Sequence, residues 1–188
     1  MNIEQLIACR LAELRTSQRL SLAQLAERAG VGKATISKIE RQDSSPTAAI
    51  LGRLAAGLGV PLSQLLAEEQ PATGTLRRHA MQPTWCDPAT GYVRRQVADA
   101  DPASGNEMVE IELPAGARVD YPHWQAGSYR QRLWLLQGTL RVTHGDEHHQ
   151  MHTGDLLAFA VDRPLSYQAG AEGPCRYLLN ILHLPRPV

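Results

Sequence analysis

The hydrophobic spacing of this chain changes period once, near residue 70, and that switch limits what it can fold into. Up to about Glu69 the apolar residues recur at three- and four-residue steps, as in Ile3, Leu6, Ile7, Leu11 and Leu14, which is the spacing of one helix face. From about Thr75 onward Gly, Pro and Asp break the chain into short segments, among them 107–113, 133–136 and 140–143. That punctuation suits antiparallel sheet. Between the two regions Glu68, Glu69, Gln70, Pro71, Ala72, Thr73 and Gly74 form a polar stretch that reads as a linker. The expectation is a helical domain over 1–69, a linker over 70–75 and an all-β domain over 76–188.

Composition narrows the class. A hydrophobic share of 43% supports a packed core, and no apolar run approaches the roughly 18 residues that a membrane span needs. The start of the chain carries Glu4 and lacks the basic and apolar regions of an export signal. Three scattered cysteines, Cys9, Cys86 and Cys175, fit neither a disulfide framework nor zinc spacing and read as ordinary thiols. A cytoplasmic protein with no membrane partner is expected. Charge is balanced, with 19 basic and 19 acidic residues, but its distribution is uneven. From Arg28 to Arg53 five basic residues (Arg28, Lys33, Lys38, Arg41, Arg53) meet two acidic ones (Glu40, Asp43), an excess of three.

That excess sits on a recognisable pair of helices. Ser21-Leu22-Ala23-Gln24 fits a capping box, and Leu22, Leu25, Ala26 and Ala29 give the following helix an apolar face. Gly30 supplies a left-handed stop, so the turn is Gly30-Val31-Gly32. A second helix is expected from Lys33 to about Arg41. At about 100° per residue Lys33, Ala34, Ser37, Lys38 and Arg41 fall within an arc of roughly 140°, opposite Ile36 and Ile39. One side packs, and the other presents groups suited to phosphates and base edges.

The residues Leu20-Ser21-Leu22-Ala23-Gln24-Leu25-Ala26-Glu27-Arg28-Ala29-Gly30-Val31, then Ile36-Ser37-Lys38-Ile39-Glu40-Arg41 and Ser44-Ser45-Pro46-Thr47, resemble the XRE-type, lambda-repressor-like helix-turn-helix regulators. The resemblance covers about Leu11 to Leu66 and implies five helices, with a fourth opened by Ser45-Pro46 and a fifth by Pro61. It also implies that the second helix of the motif enters the major groove. Lys33, Ala34, Ser37 and Lys38 would then meet bases or nearby backbone, and Arg41 the phosphates. Arg15 and Glu40 match positions that form a structural ion pair in the family. Gly32 departs from the usual Ser or Thr cap, and Gln42 from the usual Gly.

From about Thr75 to the end the chain resembles cupins. The resemblance rests on Leu113-Pro114-Ala115-Gly116, Leu136-Gln137-Gly138-Thr139-Leu140, Gly154-Asp155 and Asp162-Arg163-Pro164, with Trp85-Cys86-Asp87-Pro88 and Gly91 to Arg95 as the entry to the fold. It implies a double-stranded β-helix, or jelly-roll, barrel. Cupin enzymes hold a metal with three His and one Glu. Here Tyr121-Pro122-His123-Trp124-Gln125 leaves one histidine, the glutamate position aligns with Gln131, and the last histidine is Leu165. No metal, no cofactor and no catalytic activity are expected. His144, His148, His149 and His152 flank a Gly145-Asp146 hairpin tip and point to both faces of a strand.

A barrel without metal is expected to bind a small-molecule effector, with His123, Gln131, Leu133 and Tyr167 as the candidate contacts. Strand alternation puts Gln131, Leu133 and Leu135 on one inward face, which an open cavity and a filled core satisfy equally. The leading expectation is a homodimeric regulator on a double-stranded DNA operator, its recognition helices about one turn of duplex apart. The alternatives are a metal-dependent cupin enzyme with a tethered DNA module, and a cupin that only joins two copies.

Overall fold

A computed structural model describes residues 3–66, 76–101, 104–121 and 129–183. The linker proposed above, with the whole stretch from Glu68 to Gly74, and His123 lie outside the described residues, as does the last segment, 184–188. The chain forms two domains, helical then β-rich.

The helical domain holds α1 (Ile3–Ser17), α2 (Leu22–Ala29), α3 (Lys33–Glu40), α4 (Ala48–Leu58) and α5 (Ser63–Leu66). The amphipathic spacing places Ile7, Leu11, Leu25, Ile36, Ile39, Leu51, Leu54 and Leu65 wholly inside. Helix α2 starts on the expected capping box: Ser21 Oγ accepts from Gln24 N–H at 3.2 Å, and Ser21 N–H donates to Gln24 Oε1 at 2.8 Å. It ends at Gly30, left-handed at φ 61°. Helix α3 has no side-chain cap at Gly32, and the turn after it puts Gln42 at φ 64°, a conformation that glycine would hold with less strain.

Two boundaries differ from expectation. Pro46 does not open α4: it is buried ahead of Thr47, whose hydroxyl accepts from Ile50 N–H at 3.3 Å and sets the start at Ala48. Pro61 likewise precedes α5, its carbonyl accepting from Gln64 N–H at 3.0 Å.

The β domain contains β1 (Thr84–Cys86), β2 (Val93–Ala98), β3 (Asn106–Leu113), β4 (Arg118–Tyr121), β5 (Tyr129–Gln137), β6 (Thr139–His144), β7 (Glu147–His152), β8 (Leu156–Ala160), β9 (Leu165–Ala169) and β10 (Cys175–His183). They form a six-stranded sheet, β1-β2-β3-β10-β5-β8, and a four-stranded sheet, β4-β9-β6-β7. All pairings are antiparallel, and among the described residues none joins one sheet to the other. The expected closed barrel is therefore described as two unclosed sheets. Alternation along β3 and β10 sends Val109, Ile111, Leu113, Tyr177, Leu179 and Ile181 inward.

The apolar core does not stop at the domain boundary. One cluster runs from Leu62, Leu65 and Leu66 through Trp85 into the β domain. A second tie is polar. Asp87, 2% exposed, accepts from Ala48 N–H at 3.2 Å and from Thr90 Oγ1 at 3.1 Å, so a residue of the β domain helps to cap α4.

Helices α2 and α4 approach closely because Gly57 lies against Ala29: a Cβ added at Gly57 would meet Ala29 Cβ at 2.8 Å and its backbone N at 2.9 Å. Gly57→Ala should therefore destabilise the protein by about 1–3 kcal/mol. Urea denaturation should show a lower midpoint at unchanged slope, and an unchanged midpoint would refute the tight contact.

Candidate nucleic-acid interface and interior site

Helix α3 separates its two faces as its period requires. Ile36 and Ile39 are buried, Ser37 is half-buried, and Lys33, Ala34, Lys38 and Arg41 are exposed. Arg41 closes the helix, and its Nε donates to Asp43 Oδ2 at 3.0 Å on the surface. The helix is held from behind. Arg15 of α1 grips Glu40 with Nε to Oε1 at 2.7 Å and Nη2 to Oε2 at 2.9 Å, while its Nη1 donates to Leu20 O at 2.9 Å. This bidentate pair, half-buried at both ends, ties α3 to α1.

A second site lies between the two sheets. A cavity of about 40 Å³ is bordered by Arg94, Glu107, Gln131, Leu165, Tyr167 and, from the helical domain, Leu62. Of the residues expected from sequence, Gln131 and Tyr167 do meet here, with Tyr167 Oη donating to Gln131 Oε1 at 3.0 Å. Leu133 does not line the cavity; it is wholly buried as core. Of the positions that carry metal ligands in cupin enzymes, Gln131 is a neutral amide already bonded to Tyr167 and Leu165 has no donor atom, so these two do not suit a metal.

The histidine-rich hairpin is not a cluster either. His144 Nε2 lies 3.0 Å from Asp162 Oδ1, His148 Nδ1 lies 3.2 Å from Thr143 Oγ1, and His149 lies 3.5 Å from Glu147. Among the described residues no three His, Cys, Asp or Glu side chains converge. Burial pushes the Cys175 thiol up to about 11, leaving it protonated at neutral pH.

Sequence reasoning missed the polar centre of this interior. Glu107 is 1% exposed and Arg94 5%. Arg94 Nη2 donates to Glu107 Oε1 at 3.0 Å, and Gln96 Nε2 donates to the same oxygen at 3.2 Å. Glu107 Oε2 accepts from Ser63 Oγ of α5 at 2.7 Å and lies 2.8 Å from His183 Nε2. Burial alone would raise the Glu107 pKa. The hydrogen bonds from His183, Ser63 and Gln96, together with the Arg94 charge, outweigh that and hold it below the usual carboxylate range. Burial also holds the Tyr121 and Tyr177 hydroxyls protonated. The signal was present in the strands: Glu107 shares its face with Val109, Ile111 and Leu113, and Arg94 shares its face with Tyr92 and Gln96. A charge on the apolar side of an alternating strand needs a partner.

Because the folded pKa of Glu107 is depressed, its bonds stabilise the fold above the ordinary value of 4.5 and lose that contribution as pH falls through the folded value. Glu107→Ala should cost about 3–5 kcal/mol at neutral pH, since it strands the buried Arg94. Glu107→Gln should flatten the loss of stability below 4.5 in acid titration followed by circular dichroism. An unchanged acid profile would show that Glu107 is not the group responsible.

Comparison with known proteins agrees with this geometry. Residues 11–65 match the helix-turn-helix family HTH_3, and residues 109–181 match the cupin domain family Cupin_2. The HTH-type transcriptional regulator SutR of Escherichia coli (strain K12) is 30% identical over 186 residues, covering 98% of both chains. The crystal structure of an HTH_3 family transcriptional regulator from Vibrio cholerae superposes with a TM-score of 0.78 at 26% identity, over 98% of each chain. Iron(II) HppE gives a TM-score of 0.51 at 16% identity, over 96% of this chain and 100% of that one, a likeness of fold alone. With both domains matched and a full-length relative among the regulators, the chain belongs to the XRE-type helix-turn-helix transcriptional regulators that carry a cupin domain.

Proposed function

We propose that this regulator reads a specific DNA operator with α3, and that its β domain is a metal-free effector sensor in a homodimer. The observation that carries the DNA reading is the two-faced α3. Ile36 and Ile39 anchor it, the Arg15–Glu40 pair fixes its back, and Lys33, Ala34, Ser37 and Lys38 are left toward a duplex. Lys33 and Lys38 supply charge to bases or backbone, Ala34 permits close approach, Ser37 adds a hydroxyl, and Arg41 reaches phosphate by exchanging its exposed bond to Asp43. An exposed ion pair of that kind is worth little and is easily exchanged.

The sensor reading rests on the cavity beside Gln131 and Tyr167, within what would be the cupin barrel. Gln131 and Leu165, in the ligand positions, support effector binding without metal and weigh against catalysis, and His123 remains a candidate polar contact. We place the domains at 1–69 and 76–188 with a short linker, and the protein in the cytoplasm. No helix among the described residues is long and apolar enough to cross a membrane.

The dimer reading rests on the outer face of the six-stranded sheet. There Trp134, 49% exposed, pairs in register with Leu156, 63% exposed, and with Leu178 on its other side. A second copy of the chain covers this row, which would otherwise leave an indole and a leucine in water.

Two experiments test these readings. A duplex selected from a randomised pool by the full chain should bind about 10–100-fold more weakly to Lys33→Ala/Lys38→Ala, with the salt slope reduced by about one for each lysine. Equal affinity and slope would refute the contact assignment. Trp134→Glu should shift sedimentation from dimer to monomer while leaving the far-ultraviolet spectrum unchanged, and a dimer that survives it would refute the sheet face as the interface.

A further inference from the structure

The wall of the interior cavity is shared between domains. Pro61 and Leu62, from the segment between α4 and α5, border the same space as Gln131, Leu165 and Tyr167. Among the described residues they are the only lining residues from outside the β domain. The next residue, Ser63, 4% exposed, donates to Glu107, which lines the cavity with its partners Arg94 and His183.

Size makes this arrangement consequential. At about 40 Å³ the cavity holds about one or two waters, whereas sites for small organic ligands run to about 300 Å³ or more. Most of the remaining wall belongs to strands fixed by ladder hydrogen bonds, and Tyr167 is further held by Gln131 and stacked on Tyr177 at 5.6 Å. The Pro61–Leu62 wall has no ladder and leads into a helix of four residues. Among the described residues Tyr92 and Val161 also line the cavity outside the strands, but only Pro61 and Leu62 belong to the other domain, so room gained on that side parts the two domains.

Charge narrows the ligand. Arg94 and Glu107 already pair at 5% and 1% exposure, with the His183 ring on the second Glu107 oxygen, so a ligand with net charge would enter without a counter-ion left to it among these groups. An uncharged molecule with hydroxyl or amide groups meets the tyrosine hydroxyls and Gln131 without that penalty.

On the reading that the β domain is the sensor, we propose that the cavity takes a small net-neutral effector whose entry withdraws Pro61–Ser63 from the β domain. Cavity occupancy and the Ser63–Glu107 bond then exclude one another. The second tie, Asp87 to the start of α4, stays in place and acts as the pivot. Withdrawal at one end of α4 and retention at the other turn the helical domain, and with it α3, relative to the partner subunit. The effector so changes the spacing of the two recognition helices without touching DNA.

A covalent occupant tests this without knowledge of the effector. In full-length Cys9→Ser/Cys86→Ser protein, Leu165→Cys places a thiol on the cavity wall. With N-benzyliodoacetamide the cysteine sulfur displaces iodide, its proton passes to buffer, and an uncharged N-benzylcarboxamidomethyl group, well beyond the volume of the leucine replaced, is left inside. Amide exchange at Gln64 to Leu66 should then speed up at least about tenfold while β5 and β10 stay protected, and affinity for the selected duplex should change severalfold. Ser63→Ala should hasten the alkylation, and anionic iodoacetate should fall behind neutral iodoacetamide by more than it does with a free thiol.

Complete modification with α5 protection unchanged would overturn the proposal, as would a thiol that stays inert in the Ser63→Ala background. A ratio of these two rates no different from that with a free thiol would overturn the net-neutral class. Should Leu165→Cys not fold, Val161→Cys presents a thiol to the same cavity. Failure of the unmodified protein to bind the duplex would instead count against the DNA-binding reading.

Discussion

Glu107 carries a negative charge at 1% exposure, and the arrangement of the two domains depends on how that charge is satisfied. An isolated carboxylate in such a place would take up a proton or unfold its surroundings. It stays ionised because four groups from three separate segments converge on its two oxygens: Ser63 from α5, Arg94 and Gln96 from β2, and His183 from the end of β10. Removing any segment leaves polar atoms stranded. The helical domain is thus held in place by the same bonds that make the interior of the β domain tolerable.

Around that centre the other contacts have graded roles. The apolar cluster through Leu62, Leu66 and Trp85 supplies non-directional burial, which favours docking without fixing its orientation. Direction comes from polar contacts at two points, Ser63 on Glu107 and Asp87 on the start of α4. Helix α4 lies between these points and also packs on α2 of the helix-turn-helix pair. A change at the cavity wall therefore has a short mechanical route to α3, in which each step is a packed or hydrogen-bonded contact. The Arg15–Glu40 pair fixes α3 on its own domain.

Much of this was legible in the chain. The capping box at Ser21, the left-handed stop at Gly30, the buried Ile36 and Ile39 and the hairpin at Gly145-Asp146 all rest on interactions within a few residues, and each appears where the pattern placed it. Less legible were features in which two local rules competed. Pro46 and Thr47 both signal a helix start, and Thr47 sets it because its hydroxyl reaches Ile50 N–H while Pro46 is more useful inside the core. Leu133 shares a face with Gln131, yet only Gln131 borders the cavity, since alternation gives the side of a sheet and not the depth at which the space between sheets is left unfilled.

The sequence by itself determined the two classes of domain, the faces of α2 and α3 and the inward positions of the strands, because period and turn chemistry act over a few residues of backbone. Arg94 and Glu107 stand on the apolar faces of their strands in the sequence too, a signal the sequence reading missed. Only the tertiary structure decided what answers them. Ser63 is 44 residues from Glu107 along the chain and His183 is 76. No local pattern encodes such a meeting; it follows from how the sheets pack and from the need of a buried carboxylate for donors wherever the fold brings them.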